Sequence, residues 1–148
     1  MSSFYHKHYT ILPNDYFNAG SASSDIKKTL KQLKVSKDII KKVSVASYEA
    51  EINVVIHSFG GSVDLHIVNH TLYLQFTDSG PGIDDIELAM KPGYTTASEI
   101  SRLNGFGAGM GLVNIKASAD EMTLISDPNG TILKLKFFLH TEDANEII

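Results

Sequence analysis

Residues 62–83 read SVDLHIVNHTLYLQFTDSGPGI. Val63, Leu65 and Ile67 alternate with polar neighbours, and Leu72, Leu74 and Phe76 repeat the alternation. A period of two puts each apolar set on one face of a strand. The Asn69-His70 pair between the two sets is a short turn-forming connection, so the stretch predicts a hairpin with one buried face. Its second strand runs into Asp78 and then Gly80-Pro81-Gly82. A plain Asp-Gly turn is one reading, but a hairpin does not require a glycine pair flanking a proline. Such a pair lets the loop fold tightly under a flat ligand, with the Asp78 carboxylate at the bottom of the pocket. A carboxylate there accepts from the exocyclic amine of adenine. Guanine would set a carbonyl against it, so the stretch favours ATP over GTP.

Upstream of the hairpin, Ser36 is a candidate N-cap for a helix from Lys37 to about Ser58, ended by Gly60-Gly61. Ile39, Val43, Ala46, Ala50 and Val54 form its apolar stripe. Glu49, Asn53 and His57 each advance only ~40° around the helix, so they share one side, and that side overlaps the stripe. Polar groups leaning into a buried side need partners, because unpaired burial costs ~1–3 kcal/mol each. Either the protein supplies them, as for a core histidine, a capped amide or a glutamate paired with lysine, or a ligand does. A shorter helix from about Tyr16 to Leu33, with Ile26, Leu30 and Leu33 on one face, precedes it. Before that, HYTILPND (residues 8–15) reads as a strand that ends in a turn.

Downstream, a short helical piece spans about Asp84 to Met90, and KPGYTTASEISRLNGFGAG (residues 91–109) follows as a long loop. Connections of that length inside a compact domain are often functional lids. A helix from about Met110 to Ala119 comes next. MTLIS and TILKLKFFL then form a second hairpin around Asp127-Pro128-Asn129-Gly130, and residues 141–148 read as a frayed tail. The order predicts one α+β domain over residues 1–148: a two-layer α/β sandwich whose mixed, mainly antiparallel sheet carries helices on one face.

Composition agrees with a globular chain, at 148 residues, 43% hydrophobic and 20% charged. No run approaches the ~20 apolar residues of a membrane span, and the first residues lack a signal-peptide pattern. There is no cysteine, hence no disulfide framework and no thiolate metal site. The expectation is a cytoplasmic protein with no membrane partner. Lys27, Lys28, Lys31, Lys34, Lys37, Lys41 and Lys42 crowd the two N-terminal helices, but helical periodicity accounts for them as wet faces, so nucleic acid is not an expected partner.

Glycine returns at 105, 107, 109 and 111, just before a helix. The stretch matches neither GxxxxGK[ST] nor GxGxxG, since position 110 is methionine, and the protein-kinase HRD and DFG signatures are absent. A glycine-rich loop entering a helix N-terminus is nonetheless an anion site by its exposed N–H groups and dipole. A mobile lid or close helix packing would use the same residues.

Taken in order, these motifs resemble the GHKL (Bergerat-fold) ATPase superfamily, named for gyrase, heat-shock chaperone, histidine kinase and mismatch-repair proteins. The bacterial anti-sigma-factor serine/threonine kinases are the most similar branch. YEAEINVVIH resembles the E-x-x-x-N helix, which implies Glu49 as general base and Asn53 as magnesium ligand. TDSGPGI resembles D-x-G-x-G, which implies Asp78 on adenine with Gly80 and Gly82 beneath it. GYTTASEIS resembles the lid, with Thr95 and Thr96 as its Thr-Thr pair. GFGAGMGL resembles the second glycine motif, which implies Gly105, Gly107, Ala108, Gly109, Met110, Gly111 and Leu112 at the triphosphate. Gly130-Thr131 resembles a Gly-Thr pair whose threonine supports the Asp–adenine contact. The resemblance runs from about Lys27 to Leu139.

The resemblance implies ATP or ADP with Mg2+ as cofactors and in-line transfer of the γ-phosphate to a serine of a regulatory protein. It also implies an anti-anti-sigma-like substrate, a sigma factor, or both as partners, and it leaves room for a homodimer. Sensor histidine kinases typically keep the asparagine and lack the glutamate, so Glu49 sets the branch. Ala97 departs from the pattern, since the anti-sigma kinases often carry a basic residue after the Thr-Thr pair. Arg102, the one arginine of the chain, would then reach the phosphates, or stay a solvated lid residue. The segment His57–Gly61 is also shorter than the usual loop after that helix. The alternative to a kinase is a sensor that closes on ATP or ADP and grips a partner without transferring phosphate.

Overall fold

The structure is a computed structural model that describes residues 4–83, 86–91 and 111–139. Its elements are β1 (Phe4–Ile11), α1 (Ser21–Gln32), α2 (Lys37–His57), β2 (Gly61–Val68), β3 (Thr71–Asp78), α3 (Ile86–Ala89), α4 (Gly111–Ser118), β4 (Glu121–Asp127) and β5 (Gly130–Phe138). The five strands form one sheet in the order β1-β2-β3-β5-β4, and all the described pairings are antiparallel. The expected α+β sandwich is present, with helices over one face.

Period-two alternation decides which face is covered. Val63, Leu65 and Ile67 of β2, Leu72, Leu74 and Phe76 of β3, and Leu133, Leu135 and Phe137 of β5 are all buried on the helix side. The β2–β3 turn falls at Asn69 as expected, and Asn69 takes the left-handed conformation (φ 55°) that asparagine tolerates. The register across it is symmetrical, with Val68 opposite Thr71 and Leu65 opposite Leu74.

The central helix is α2. It begins where Ser36 accepts a hydrogen bond from the Ile39 N–H at 3.4 Å, the predicted N-cap. Its apolar stripe (Ile39, Val43, Ala46, Ala50 and Val54) is buried in one core with Ile26 and Leu30 of α1 and Leu112 and Ile115 of α4. The seven clustered lysines are exposed, as wet helix faces should be.

Two boundaries differ from the expectation. β1 starts at Phe4, ahead of HYTILPND, because it pairs with β2 over its whole length from Phe4–Val68 to Ile11–Gly61. α1 starts at Ser21, five residues after Tyr16. Its N-terminal groups are satisfied from another element: the buried Glu51 carboxylate of α2 accepts from the N–H groups of Gly20 (2.9 Å), Ala22 (3.3 Å) and Ser23 (2.8 Å). No local cap marks this start in the sequence. On the other side of α1, Asp25 takes the Tyr9 hydroxyl at 2.6 Å and the Lys7 ammonium at 3.0 Å, which fastens the helix to β1. These two donors hold the Asp25 carboxyl below the usual carboxylate range, against a smaller opposing effect of burial. The expected frayed tail lies outside the described residues.

Candidate nucleotide site

Two clusters lie along α2. At the first, Glu49 and Asn53 face the start of α4. A methyl group on Gly111 would stand 3.1 Å from Asn53 Oδ1 and 3.4 Å from Glu49 Oε2. Glycine here lets the N-terminus of α4 approach both polar side chains closely, the reason the sequence spends no side chain at that point. Asn114, one turn along α4, donates to Glu49 Oε1 at 3.4 Å. Glu49 and Asn53 are half-buried. Glu49 is thus engaged by an amide, and among the described residues the lysine pairing considered for it is not found. Leu112 turns its side chain into the core.

The second cluster is built on Asp78 at the end of β3. Asp78 Oδ1 accepts from the backbone N–H of Gly80 at 3.0 Å and of Thr131 at 3.0 Å. Thr131 is thus brought to Asp78 by its backbone, while its hydroxyl shares a 2.8 Å hydrogen bond with Ser126 Oγ. Ser126 Oγ in turn accepts from the Ile83 N–H at 2.7 Å. Gly82 lies in the left-handed region (φ 88°), and a methyl group there would collide with the Asp127 carbonyl. The glycine loop is therefore clamped against the β4–β5 turn, as a rigid floor beside the carboxylate.

Asp78 also interacts electrostatically with His57 of α2. Burial pushes the Asp78 carboxyl above its usual range, outweighing the Gly80 and Thr131 donors and the nearby His57. Burial likewise pushes His57 down, against the pull of the Asp78 carboxylate. Glu49, Asn53 and His57 thus mark a row along α2, ~12 Å long at 1.5 Å per residue, running from the start of α4 toward Asp78.

Of the residues expected in a site, the structure brings Glu49 and Asn53 to Gly111, Gly80 and Thr131 to Asp78, and Gly82 against Asp127. Thr95, Thr96, Arg102, Gly105, Gly107, Ala108, Gly109 and Met110 lie outside the described residues. Sequence reasoning missed Asn114 and Ser126. Asn114 had a signal, since three residues after Gly111 it falls on the same helix face. Ser126 had none, because its role exists only once β4 packs beside the glycine loop.

Comparison with known proteins gives the family and the fold. Residues 12–137 match the family described as histidine kinase-like ATPase domain. An anti-sigma F factor of Halalkalibacterium halodurans is 32% identical over 120 residues, covering 76% of this chain and 79% of that protein. An anti-sigma F factor of Bacillus velezensis is 29% identical over 134 residues, covering 86% and 88%. A crystal structure of the RsbU and RsbW domains of Rv1364c from Mycobacterium tuberculosis superposes with a TM-score of 0.63 at 17% identity. The match covers 91% of this chain and 32% of that one, and it speaks to the fold.

Proposed function

The chain belongs to the histidine kinase-like ATPase family, and from that premise we propose that it is an ATP-dependent protein serine/threonine kinase acting on a regulatory protein partner. The observation that carries the proposal is the meeting of Glu49, Asn53 and Gly111, a carboxylate and an amide oxygen set against a helix N-terminus. The similarity to anti-sigma F factors supports a partner of the sigma-factor class or a protein that regulates one. A cytoplasmic setting follows from such a partner and from ATP as substrate.

In this reading Asp78 accepts from the adenine amine above the clamped loop of Gly80 and Gly82, and Thr131 fixes the carboxylate from behind. The triphosphate extends along the α2 row to the N-terminus of α4, where Gly111 and the glycines before it present backbone N–H groups to the phosphates. Thr95, Thr96 and Arg102 belong to the lid that covers it. Asn53 offers one neutral oxygen, which suits Mg2+, an ion that keeps several waters and shares phosphate oxygens. Bound there, the ion would neutralise charge on the β- and γ-phosphates. Glu49 accepts the proton of the attacking serine hydroxyl, and Asn114 orients its carboxylate. A homodimer is compatible with this arrangement.

The test incubates the chain with Mg-ATP and the candidate partners. Phosphoserine forms on one of them, and Glu49→Ala lowers the rate by ~10²–10⁴-fold. The variant still binds ATP, so saturation at 100 times Kd raises its stability by ~2.7 kcal/mol, as for the wild type. Transfer that survives Glu49→Ala removes the assigned base. ATP binding with no transfer to any partner replaces the kinase with a nucleotide-dependent switch.

A further inference from the structure

The face of the sheet away from the helices carries a cluster unrelated to the nucleotide site. His6 and His8 project outward from β1, and Asp64 and His66 from β2. Strand register makes this a square: His6 lies directly opposite His66, and His8 directly opposite Asp64. The His6 and His66 rings stack with centroids 4.3 Å apart. His6 Nε2 stands 3.1 Å from Asp64 Oδ1, and His8 Nδ1 stands 2.8 Å from the same oxygen. One ligand atom from each of His6, Asp64 and His66 lies within 4.8 Å of the others.

We propose that His6, Asp64 and His66 form a binding site for a divalent transition metal, with zinc as the fitting ion and water completing its coordination. Two imidazoles and one carboxylate are the donor chemistry of zinc and its first-row neighbours, and they differ from the all-oxygen sets that magnesium and calcium require. A tetrahedral ion with bonds of ~2.1 Å spaces its donors ~3.4 Å apart, so the three side chains need only rotate inward by about an ångström. The backbone is already fixed, because two paired strands set the spacing of all the donors. His8 does not complete the trio. It engages the same Asp64 oxygen from the next outward position of β1, as an outer partner that orients a metal-bound ligand does. The side chains of His6 and Asp64 remain 40% and 25% exposed, so an ion enters directly from solvent.

The experiment uses the full chain without an affinity tag, stripped with chelator and free of nucleotide, and titrates it with zinc chloride by calorimetry. One zinc binds per chain, and excess Mg2+ does not displace it. Cobalt(II) binds in its place with the visible absorption of a low-coordinate, nitrogen- and oxygen-ligated ion. His66→Gln and Asp64→Asn each weaken zinc binding at least tenfold, His8→Gln weakens it by ~10-fold through Asp64, and His70→Gln, in the turn, leaves it unchanged. All four substitutions are on the wet face or in the turn, and matching urea midpoints without metal confirm that each variant is folded. The proposal is overturned if no saturable one-to-one uptake occurs, or if uptake persists in the double variant His6→Gln/His66→Gln. Because no ATP is present, the result is independent of whether the chain transfers phosphate.

Discussion

Asp78 joins two demands in one side chain. Its Oδ1 satisfies two backbone N–H groups that hold the loop, and the carboxylate as a whole is the proposed adenine acceptor. Asp78→Asn separates them. Asparagine keeps an oxygen for the two N–H donors but sets an NH₂ where the second carboxylate oxygen stood, donor against the adenine amine. Calorimetry should show ATP binding weakened by about 2 kcal/mol, or ~30-fold in Kd. The urea midpoint at pH 7 should hold or rise, because burial disfavours the ionised form of this group. A fall in both would make Asp78 a structural residue only. His57 supplies the pH dependence. Its folded pKa lies below 6.5, so the stability it contributes is present above 6.5 and is lost as pH falls through the folded value. Asp78 acts in the opposite sense at lower pH: its share is present below 3.8 and is lost as pH rises through its raised value. In urea titrations between pH 7 and 5, His57→Gln should therefore show a flatter decline than the wild type. An unchanged slope would assign the acid sensitivity elsewhere.

At the level of elements, α1 depends on α2 for its beginning. Gly20 is left-handed (φ 96°) and offers no side-chain cap, and Glu51 reaches across from the middle of α2 to take three N–H groups. Glu51→Ala should lower unfolding free energy by at least about 3 kcal/mol, since it leaves several buried donors without an acceptor. Hydrogen exchange should quicken first at Ala22 and Ser23, and a loss below 1 kcal/mol would show that water replaces the carboxylate. The same contact explains which parts of the molecule were legible in the sequence. The start of α2 was, because Ser36 caps it locally, and so was the β2–β3 hairpin, because alternation and the Asn69 turn are local signals. The start of α1 was not, because its cap lies 28 residues or more along the chain. Glu49 and Asn53 were legible as a shared helix side, but their meeting with Gly111 required two helices to pack. Asp78 was legible as a strand-end carboxylate. That Thr131 holds it through a backbone N–H, with Ser126 engaging the hydroxyl, needed the tertiary fold.

For the molecule as a whole, two layers divide the work. The proposed nucleotide site spans the helix side, from Glu49 and Asn53 on α2 to Asp78 at the end of β3, and the wet face of the sheet carries the histidine and aspartate square. Leu65 and Ile67 point into the core in alternation with the outward Asp64 and His66, so the same β2 segment serves both layers. The clamp between the Asp78 loop and the β4–β5 turn also has a consequence in time. Asp78 is bonded to Thr131, 53 residues later in the chain. At roughly 5–20 residues per second, a ribosome needs about 3–10 s to synthesise that interval. Throughout it the nascent chain has α2 with Glu49 and Asn53 but no finished floor beside Asp78. On the proposed contact, competence to hold adenine arrives late in synthesis, as the closing hairpin docks and Thr131 reaches Asp78.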